Sequence, residues 1–537
     1  MAQVTVDDEP DEDAATAARG GGASDGVVFP VVGGHRSTSA TGRAVLADAV
    51  RPVDPALAEQ VSAQRDWHVS YLDAYRRMTE LAVTAPDGAQ RISAAGLASV
   101  HQRFLIRRAG EDLPIAQAMT RSLAQPSPPP GAPGEHPATS ALPALHTVTV
   151  RGTQPAAPDL LSVPYRGGRL VAGDLDRQLD AWVEAGTAEP SFATAVRSVM
   201  VHPEWLDLRD VTVVLLGAGA EMGPFVSLVQ WGAHVVAVDL PAFDVWHRLI
   251  NQVRASSGSM SVPVSRWLPA SASDDELAAA AGVDVIRQAP ELLAWLAQVE
   301  GPMTLGNYVY ADGAIHVQAA VAVDAVTQGL IQHRDDVSLA FLATPTDVFP
   351  VPMDVVEDSR RRYHDRTLAR RFGRITSAGR LFAPNYDGVV AMPDGVEVGL
   401  NDSLVPQQGP NYALAKRIQR WRALHERSNG RLVSLNVAPA TRTRSVVRNR
   451  ALAAAYGGAH RFGVEVFEPS TSNTLMAALL VHDLRNPDAV ANPATPLAHP
   501  TELFWQGANH GGLWRNAYSP RSVLGLAVVL GMVQRDA

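Results

Sequence analysis

The sequence predicts an α/β protein whose core is a doubly wound parallel sheet with helices on both faces. Residues 211–216 form a continuous apolar, β-branched run, as expected for a parallel strand that is buried on both faces, and residues 234–239 form a second such run. Between the two runs, a glycine-rich turn leads into an amphipathic stretch at 224–231, which predicts a helix. Strand, helix and strand in this order make a βαβ unit.

Further strand signals follow this unit along the chain, with helical patterns between them. In a doubly wound sheet, the carboxyl ends of the strands form a crevice that binds ligands. We therefore expect the functional residues to follow the strands directly. The later strands are predicted at 283–286, 303–305, 338–343, 432–437 and 463–467.

The rest of the chain divides by composition. Apolar residues recur at helical spacing through Trp67, Tyr71 and Tyr75, which predicts a mainly helical N-terminal region. Proline density predicts a linker, and the acidic, Ala/Gly-rich start predicts a disordered tail. The predicted parts are a tail at 1–26, the helical region at 27–124, the linker at 125–143, a lead-in segment at 144–210 with a strand at 145–151 and helix at 174–201, and the main domain at 211–537 with an insertion at 349–406.

Bulk composition excludes several classes of protein. The net charge of -9 argues against general binding to nucleic acid or to an anionic membrane. There is no cysteine, so disulfides and thiolate metal ligands are excluded, and no metal-binding histidine spacing is present. The start of the chain lacks the apolar core of a signal peptide, and the apolar run at 523–533 is too short to span a bilayer. We therefore expect a cytoplasmic protein without metal, in which 523–533 is a buried helix.

The turn after the first strand has the chemistry of a dinucleotide site. Glycines there let the backbone approach a pyrophosphate, and the following helix offers unpaired N–H groups. An aspartate that ends the second strand, about 20 residues on, suits the ribose hydroxyls of NAD and would repel the 2′-phosphate of NADP. The pattern predicts a Rossmann-like fold that binds NAD rather than NADP. The residues assigned to this site are Gly217, Gly219, Glu221, Met222, Gly223 and Asp239.

Lys416 is the only lysine in the chain, and it follows Tyr412 by four positions. If Pro410 opens a helix, the two side chains lie one turn apart on one face. An ammonium beside a phenol stabilises the phenolate and lowers the tyrosine pKa towards a useful range for proton transfer. The pair therefore predicts acid–base chemistry.

These motifs together resemble the short-chain dehydrogenase/reductase family. Tyr412 and Lys416 match its Tyr-x-x-x-Lys motif, and Asn307 falls where the family has Asn-Asn-Ala-Gly. The resemblance implies an NAD(P)(H)-dependent oxidoreductase that acts on an alcohol or carbonyl, in which Tyr412 transfers the proton and Lys416 also binds the nicotinamide ribose. Residues 432–443 look like the sixth strand and the loop that flanks the nicotinamide, which implies cofactor contacts from Pro439, Thr441 and Thr443.

The chain also departs from the family pattern. The first turn is Gly-x-Gly-x-x-x-Gly, not the family's Thr-Gly-x-x-x-Gly-x-Gly, and the catalytic serine is missing from its usual place before the tyrosine. Thr344 or Thr346, which follow the fifth strand, can supply the missing hydroxyl, and Ser403 is a weaker candidate.

Two other functions compete with the oxidoreductase. S-adenosylmethionine-dependent methyltransferases also combine a Gly-x-Gly turn with an acidic residue after the second strand. A non-catalytic NAD-binding scaffold or sensor would keep the cofactor site without turnover. In the reading we favour, the partners are a small-molecule substrate and further copies of the chain in a homo-oligomer. No nucleic-acid or membrane partner is expected.

Two further segments are candidates for substrate contact. His510 and Arg515 lie in a glycine- and aromatic-containing loop of the kind that closes over sites. The arginine-rich run at 359–374 could bind a phosphate or carboxylate of the substrate. Such a run is more often a solvated helix face or an oligomer contact.

Overall fold

The computed structural model describes residues 25–124, 145–155, 160–448 and 450–533. The predicted linker at 125–143 lies outside the described residues, as does nearly all of the predicted tail at 1–26. The strands are β1 Gly26–Val28, β2 Val31–Val32, β3 His35–Arg36, β4 Leu105–Arg108, β5 Glu111–Pro114, β6 His146–Arg151, β7 Ser162–Tyr165, β8 Gly168–Val171, β9 Thr212–Leu216, β10 His234–Val238, β11 Ser259–Val264, β12 Met303–Asn307, β13 Val337–Ala343, β14 Val348–Val351, β15 Val390–Ala391, β16 Glu397–Asp402 and β17 Val433–Val437.

The α-helices, with three short 3₁₀ turns between some of them, alternate with these strands through the main sheet. They are α1 Thr38–Val50, α2 Pro55–Ala63, α3 Trp67–Thr84, α4 Gly88–Arg103, α5 Ile115–Ala124, α6 Ala172–Ala185, α7 Pro190–Val201, α8 Phe225–Gln230, α9 Phe243–Arg254, α10 Asp274–Ala280, α11 Ala289–Leu296, α12 Gly313–His333, α13 Met353–His364, α14 Leu368–Thr376, α15 Gly409–Ser428, α16 Arg444–Arg448, α17 Arg450–Ala459, α18 Pro469–Arg485, α19 Glu502–Trp505 and α20 Pro520–Val533.

Seven strands form the central sheet, in the order β17-β13-β12-β9-β10-β11-β6. Six of them are parallel, and the edge strand β6 is antiparallel to β11. Numbered along the chain from β9, the parallel strands stand in the order 6-5-4-1-2-3. This is the order of doubly wound nucleotide-binding sheets, so the architecture is compatible with a Rossmann-like fold. The order reverses between β9 and β12, which makes their carboxyl ends the topological switch point.

Alternate residues of β9 point into two separate cores. Val214 and Leu216 face a core shared with α12, α15 and the N-terminal helices, whereas Val213 and Leu215 face a core shared with α7, α8, α9 and α18. The N-terminal region thus continues the packing of one sheet face. Its contact with α15 is close, because a Cβ on Gly96 of α4 would lie 2.6 Å from the ring of Trp421.

A buried ion cluster joins three helices on that face. Asp324 of α12 accepts hydrogen bonds from Arg422 of α15 at 2.8 Å and from His101 of α4 at 2.7 Å. These charged and hydrogen-bonded contacts fix the N-terminal region against the layer that carries the tyrosine–lysine helix. Of the described helices, α12 is the one long and apolar enough to cross a membrane, and 67% of its apolar window is buried within the fold.

The predicted strand at 283–286 is wrong. That segment is a turn in which Asp284 Oδ1 accepts hydrogen bonds from the amides of Ile286 and Arg287. The third parallel strand is β11, which the sequence analysis missed because Ser259, Ser261 and a proline interrupt its apolar pattern. The predicted strand at 463–467 is also wrong, since only one bridge, Thr441 to Phe467, forms there.

Residues 523–533 were expected to form a buried helix. They lie in a helix, but that helix is only partly buried. Helix α20 packs tightly on α17 through small residues, since a Cβ on Gly458 would lie 2.0 Å from the carbonyl oxygen of Ala527. Val529, Leu530 and Met532 are nevertheless 59%, 43% and 48% exposed. The insertion at 349–406 contributes α13, α14 and most of a separate antiparallel sheet, ordered β14-β16-β15.

Candidate functional site

The glycine turn lies at the switch point, between β9 and the short helix α8. Gly217 has a φ of +85°, and a Cβ there would lie 3.0 Å from the backbone of Tyr308, so only glycine fits without strain. A Cβ on Gly219 would lie 2.8 Å from Val245 Cγ1. Gly223 closes the turn by donating its amide to the carbonyl oxygen of Ala220 at 3.0 Å. The turn is therefore built around positions that exclude larger side chains.

Asp239, directly after β10, holds the turn in place. Its Oδ2 accepts the amide of Gly219 at 2.7 Å, and its Oδ1 accepts the amide of Leu240 at 2.8 Å. Burial raises the pKa of this carboxyl, while the Gly219 amide opposes the rise. Arg248, which the sequence analysis missed, donates to the carbonyl oxygen of Gly219 at 3.0 Å and also opposes the rise in the Asp239 pKa. In the sequence, the one indication of this contact was a basic residue in the helix predicted to follow the second strand.

The other predicted cofactor residues converge on this turn. Asn307 ends β12 in register with Leu216 of β9, and its Oδ1 accepts the amide of Val309 at 3.3 Å. The Glu221 carboxylate accepts two hydrogen bonds from Arg444, one from its backbone amide at 2.7 Å and one from its Nε at 2.8 Å. This contact ties the glycine turn to the segment that follows β17. Met222 packs, partly buried, on the core below.

The segment after β17 is fixed by local hydrogen bonds. The Thr441 hydroxyl is 2.9 Å from the Pro439 carbonyl oxygen, to which it donates, and 2.6 Å from Ser472 Oγ. Thr443 donates its amide to the carbonyl oxygen of Thr441 at 2.9 Å. The contact of Arg444 with Glu221 joins the end of this segment to the glycine turn, and the cofactor contacts of Pro439, Thr441 and Thr443 stay predictions.

Tyr412 lies in the first turn of α15 and reaches the end of β13. Its hydroxyl is hydrogen-bonded to Thr344, and Thr344 Oγ1 is 2.8 Å from Thr346 Oγ1. Gln408 extends the chain of contacts by donating to Thr346 Oγ1 at 3.0 Å. Burial raises the pKa of Tyr412, and the Thr344 hydrogen bond opposes this rise. The Ser403 hydroxyl is engaged elsewhere, because it donates to Asn401 at 2.7 Å.

The expected effect of Lys416 on the tyrosine pKa is absent. Lys416 is not among the main influences on the pKa of Tyr412, which is raised rather than lowered. The ammonium instead reaches Gln419 Oε1 at 3.5 Å, and it borders a cavity of about 10 Å³ that Thr344 and Asp347 also line. Burial lowers the pKa of Lys416 to about 8, although Asp347 opposes the effect. The lysine therefore titrates near neutral pH.

His316 is the functional candidate that sequence reasoning missed. It lies in the first turn of α12, is 1% exposed, and neither ring nitrogen has a hydrogen-bond partner among the described residues. Its ring packs 5.6 Å from that of Tyr412 and 5.1 Å from that of Tyr310. Burial, with Lys416 adding to it, lowers its pKa to about 3. A neutral imidazole thus lies beside the tyrosine. Its position shortly after the fourth strand, where functional residues were expected, could have identified it from the sequence.

His510 and Arg515 occupy a buried ion cluster away from the tyrosine. His510 is fully buried, its Nε2 lies 2.8 Å from Glu189, and its Nδ1 accepts the amide of Gly512 at 3.1 Å. Arg515 binds both oxygens of Glu189 and also Asp354. Burial lowers the pKa of His510. These contacts use the groups that a substrate would need, so neither side chain is free to bind one.

The arginine-rich run is divided between α13 and α14. Arg361 and Arg362 bind Asp358, whereas Arg366 and Arg370 donate to backbone carbonyl oxygens. One face of α14 exposes three large apolar side chains at helical spacing: Leu368, Phe372 and Ile375 are 79%, 68% and 76% exposed.

Comparisons with known proteins give no assignment for this site. No family model matches the sequence, and searches of curated proteins and of solved structures found no match either. The candidate site therefore rests on its own geometry. Within the described ranges, no group of three or more histidine, aspartate or glutamate residues could hold a metal ion.

Proposed function

We propose that the protein is an NAD(H)-dependent oxidoreductase of the short-chain dehydrogenase/reductase type that acts on an alcohol or carbonyl group of a small molecule. The observation that carries the proposal is the convergence of two motifs on one edge of the sheet. The glycine turn follows β9 and Thr344 follows β13, with only β12 between the two strands. The hydrogen bond of Tyr412 to Thr344 brings the tyrosine to the same edge.

The residues at the turn fit a dinucleotide. Gly217 and Gly219 allow the turn to pack closely against Tyr308 and Val245, and the amides of Glu221 and Met222 have no acceptor in the described part of the chain. Such amides can hold a pyrophosphate. Asp239 stands where ribose hydroxyls are bound in doubly wound folds, which favours NAD over NADP. When bound, the nicotinamide supplies or accepts the hydride.

Tyr412 is proposed to move the proton at the reacting oxygen. Because burial raises its pKa, the phenol holds its proton at neutral pH, although the raised pKa also makes it a weaker acid. Since carbonyl reduction requires a proton at the reacting oxygen, the protonated phenol favours reduction as the direction of the reaction. Thr344, already hydrogen-bonded to Tyr412, would help to hold the substrate oxygen.

Lys416 and His316 are proposed to complete the site. The ammonium would bind the nicotinamide ribose while it remains protonated, below a pH of about 8. The neutral His316 ring offers one donor and one acceptor nitrogen beside the tyrosine, both without partners in the described residues. Because its pKa is lowered to about 3, the ring would stay neutral and serve as a hydrogen-bond donor and acceptor for the substrate rather than as a base.

A non-catalytic NAD-binding protein is the second candidate. It is favoured by the contacts of the two motif residues, since Tyr412 is hydrogen-bonded to Thr344 and Lys416 contacts Gln419 rather than the tyrosine. Cytoplasmic location and a homo-oligomer remain part of the proposal. The exposed apolar face of α14 supports a contact between copies.

The test is a screen of aldehydes and ketones with NADH, followed by its absorbance, using wild-type protein and Tyr412→Phe. The enzyme proposal expects turnover that falls at least about 10²-fold in the variant, with unchanged NADH affinity. Equal rates in the two proteins would refute the assigned role of Tyr412. NADH binding without turnover of any substrate would favour the non-catalytic protein.

A further inference from the structure

Helix α15 carries three buried arginines whose charges are balanced unequally. Arg422 is 3% exposed and binds both oxygens of Asp324 at 2.8 Å and Glu426 at 2.9 Å. Two carboxylates therefore surround this guanidinium. Arg422 is therefore a buried arginine whose charge is compensated, with which the other two can be compared.

Arg417 and Arg420, on the same helix, share a single carboxylate. They are 5% and 3% exposed, and they bind the two oxygens of Asp347 at 2.7 Å and 2.6 Å. Among the described residues, no other carboxylate lies within 4.0 Å of either guanidinium. The three side chains thus carry a net positive charge in the interior, where an uncompensated charge is costly.

The hydrogen bonding of the pair is incomplete as well. The Nε atoms of both arginines are buried and find no partner in the part of the chain that the structure describes. The Arg420 guanidinium lies over the rings of Phe349 and Phe504, at 4.0 Å and 4.5 Å. Burial, with Arg417 adding to it, lowers the pKa of Arg420 to about 9. Because Asp347 is the one carboxylate within 4.0 Å of these two guanidinium groups among the described residues, the pair is short of one negative charge.

A small cavity adjoins both guanidinium groups. Its volume is about 20 Å³, and Arg417, Arg420, Thr79 and Ser93 line it together with apolar side chains. A single water needs about 10–15 Å³ on the same measure, so one small particle fits, whereas a polyatomic oxyanion such as phosphate is too large.

We propose that this cavity binds one monovalent halide ion, which is chloride under cellular conditions. A halide would balance the charge that Asp347 leaves over, and it could accept hydrogen bonds from the guanidinium N–H groups that lack a partner among the described residues. A water molecule would satisfy hydrogen bonds without balancing the charge. The largely apolar wall also suits a weakly hydrated ion. The proposal does not depend on the oxidoreductase assignment, because α3 and α4 line this cavity and none of the residues assigned to the oxidoreductase site does.

The first test is the thermal unfolding midpoint of the full chain in sodium chloride and in sodium gluconate at equal ionic strength. We expect a saturable rise of the midpoint with chloride. In Ala82→Val, which narrows the cavity, the two salts should give the same midpoint. Arg422→Gln, which disturbs the compensated arginine, should be less stable but should keep the chloride effect. Equal midpoints of the wild-type protein in the two salts would overturn the proposal.

The second test locates the ion without a variant. Crystals of the wild-type protein grown in sodium bromide should show an anomalous peak between Arg417 and Arg420. Density for water at this position, without an anomalous signal, would also overturn the proposal.

Discussion

The amide of Gly219 donates a 2.7 Å hydrogen bond to Asp239 Oδ2, which joins the turn after β9 to the end of β10. The aspartate expected to bind a ribose therefore also supports the turn expected to bind the pyrophosphate. Because the carboxylate has acceptor capacity beyond this bond, both roles are compatible. The turn and the ribose site should respond together to mutation.

Gly219→Ala should weaken NADH binding and reduce stability. The new Cβ would lie 2.8 Å from Val245 Cγ1 and 3.0 Å from Asp239 Oδ2, so the turn must shift. We expect at least a 10-fold loss of NADH affinity and a stability loss of about 1–3 kcal/mol, as for overpacked sites. Calorimetric titration and denaturant unfolding measure the two effects. Gly388→Ala is the matched control, because its Cβ would meet nothing within 4 Å. Similar behaviour of the two variants would count against the assigned turn.

Asp324→Asn should strongly destabilise the fold. The substitution removes the charge that compensates Arg422 and the acceptor that His101 contacts, in a site where Asp324 is 4% exposed. Removing one partner of a buried ion pair typically costs about 3–5 kcal/mol. Urea unfolding followed by circular dichroism measures this loss. Asp335→Asn, at an exposed position, should change stability by less than about 0.5 kcal/mol. A mild effect of Asp324→Asn would show that the N-terminal region does not depend on this cluster.

NADH affinity should fall as the pH rises through about 8. Lys416 carries its charge below its pKa of about 8 and loses it above, so its bond to the nicotinamide ribose weakens at higher pH. In Lys416→Arg the charge persists, because guanidinium does not deprotonate in this range. Titrations between pH 6.5 and 9.5 should therefore give a sloping profile for the wild type and a flat one for the variant. The same slope in both proteins would remove Lys416 from the cofactor site.

His316 should make the protein sensitive to acid. Its pKa is about 3 in the folded protein and close to 6.5 when exposed, so between these values the unfolded chain binds a proton that the native state does not. Stability should therefore fall as the pH drops from about 6.5 towards 3, by up to about 1.4 kcal/mol per pH unit. In His316→Phe this contribution should be absent and the profile flatter. Urea unfolding at several pH values measures the slopes, and parallel profiles would contradict the assigned burial.

The sequence was sufficient to predict the strands whose apolar runs are continuous. β9, β10, β13 and β17 lie within about one residue of their predicted bounds, because parallel strands buried on both faces need uninterrupted apolar residues. β11 escaped detection because its serines and proline break that pattern, and the false strand at 283–286 shows that a short apolar run can equally form a turn.

The site was predictable where a motif is local in sequence. The glycine turn and the spacing of Tyr412 and Lys416 could be found by inspection, whereas their environments could not. The raised pKa of Tyr412 follows from burial by residues distant in the chain, among them the aromatic cluster around His316. The pairing of His510 with Glu189, across 321 positions, likewise has no local signal.

The most direct test of the central claim is calorimetric titration of the wild-type protein and Asp239→Ala with NADH, NADPH and S-adenosylmethionine. We expect the wild-type protein to bind NADH more tightly than NADPH, and S-adenosylmethionine not to bind. Asp239→Ala should bind both dinucleotides more weakly and without this preference, because the carboxylate also holds the turn. Binding of S-adenosylmethionine alone would contradict the account in favour of a methyltransferase, and no binding of either dinucleotide would contradict it altogether.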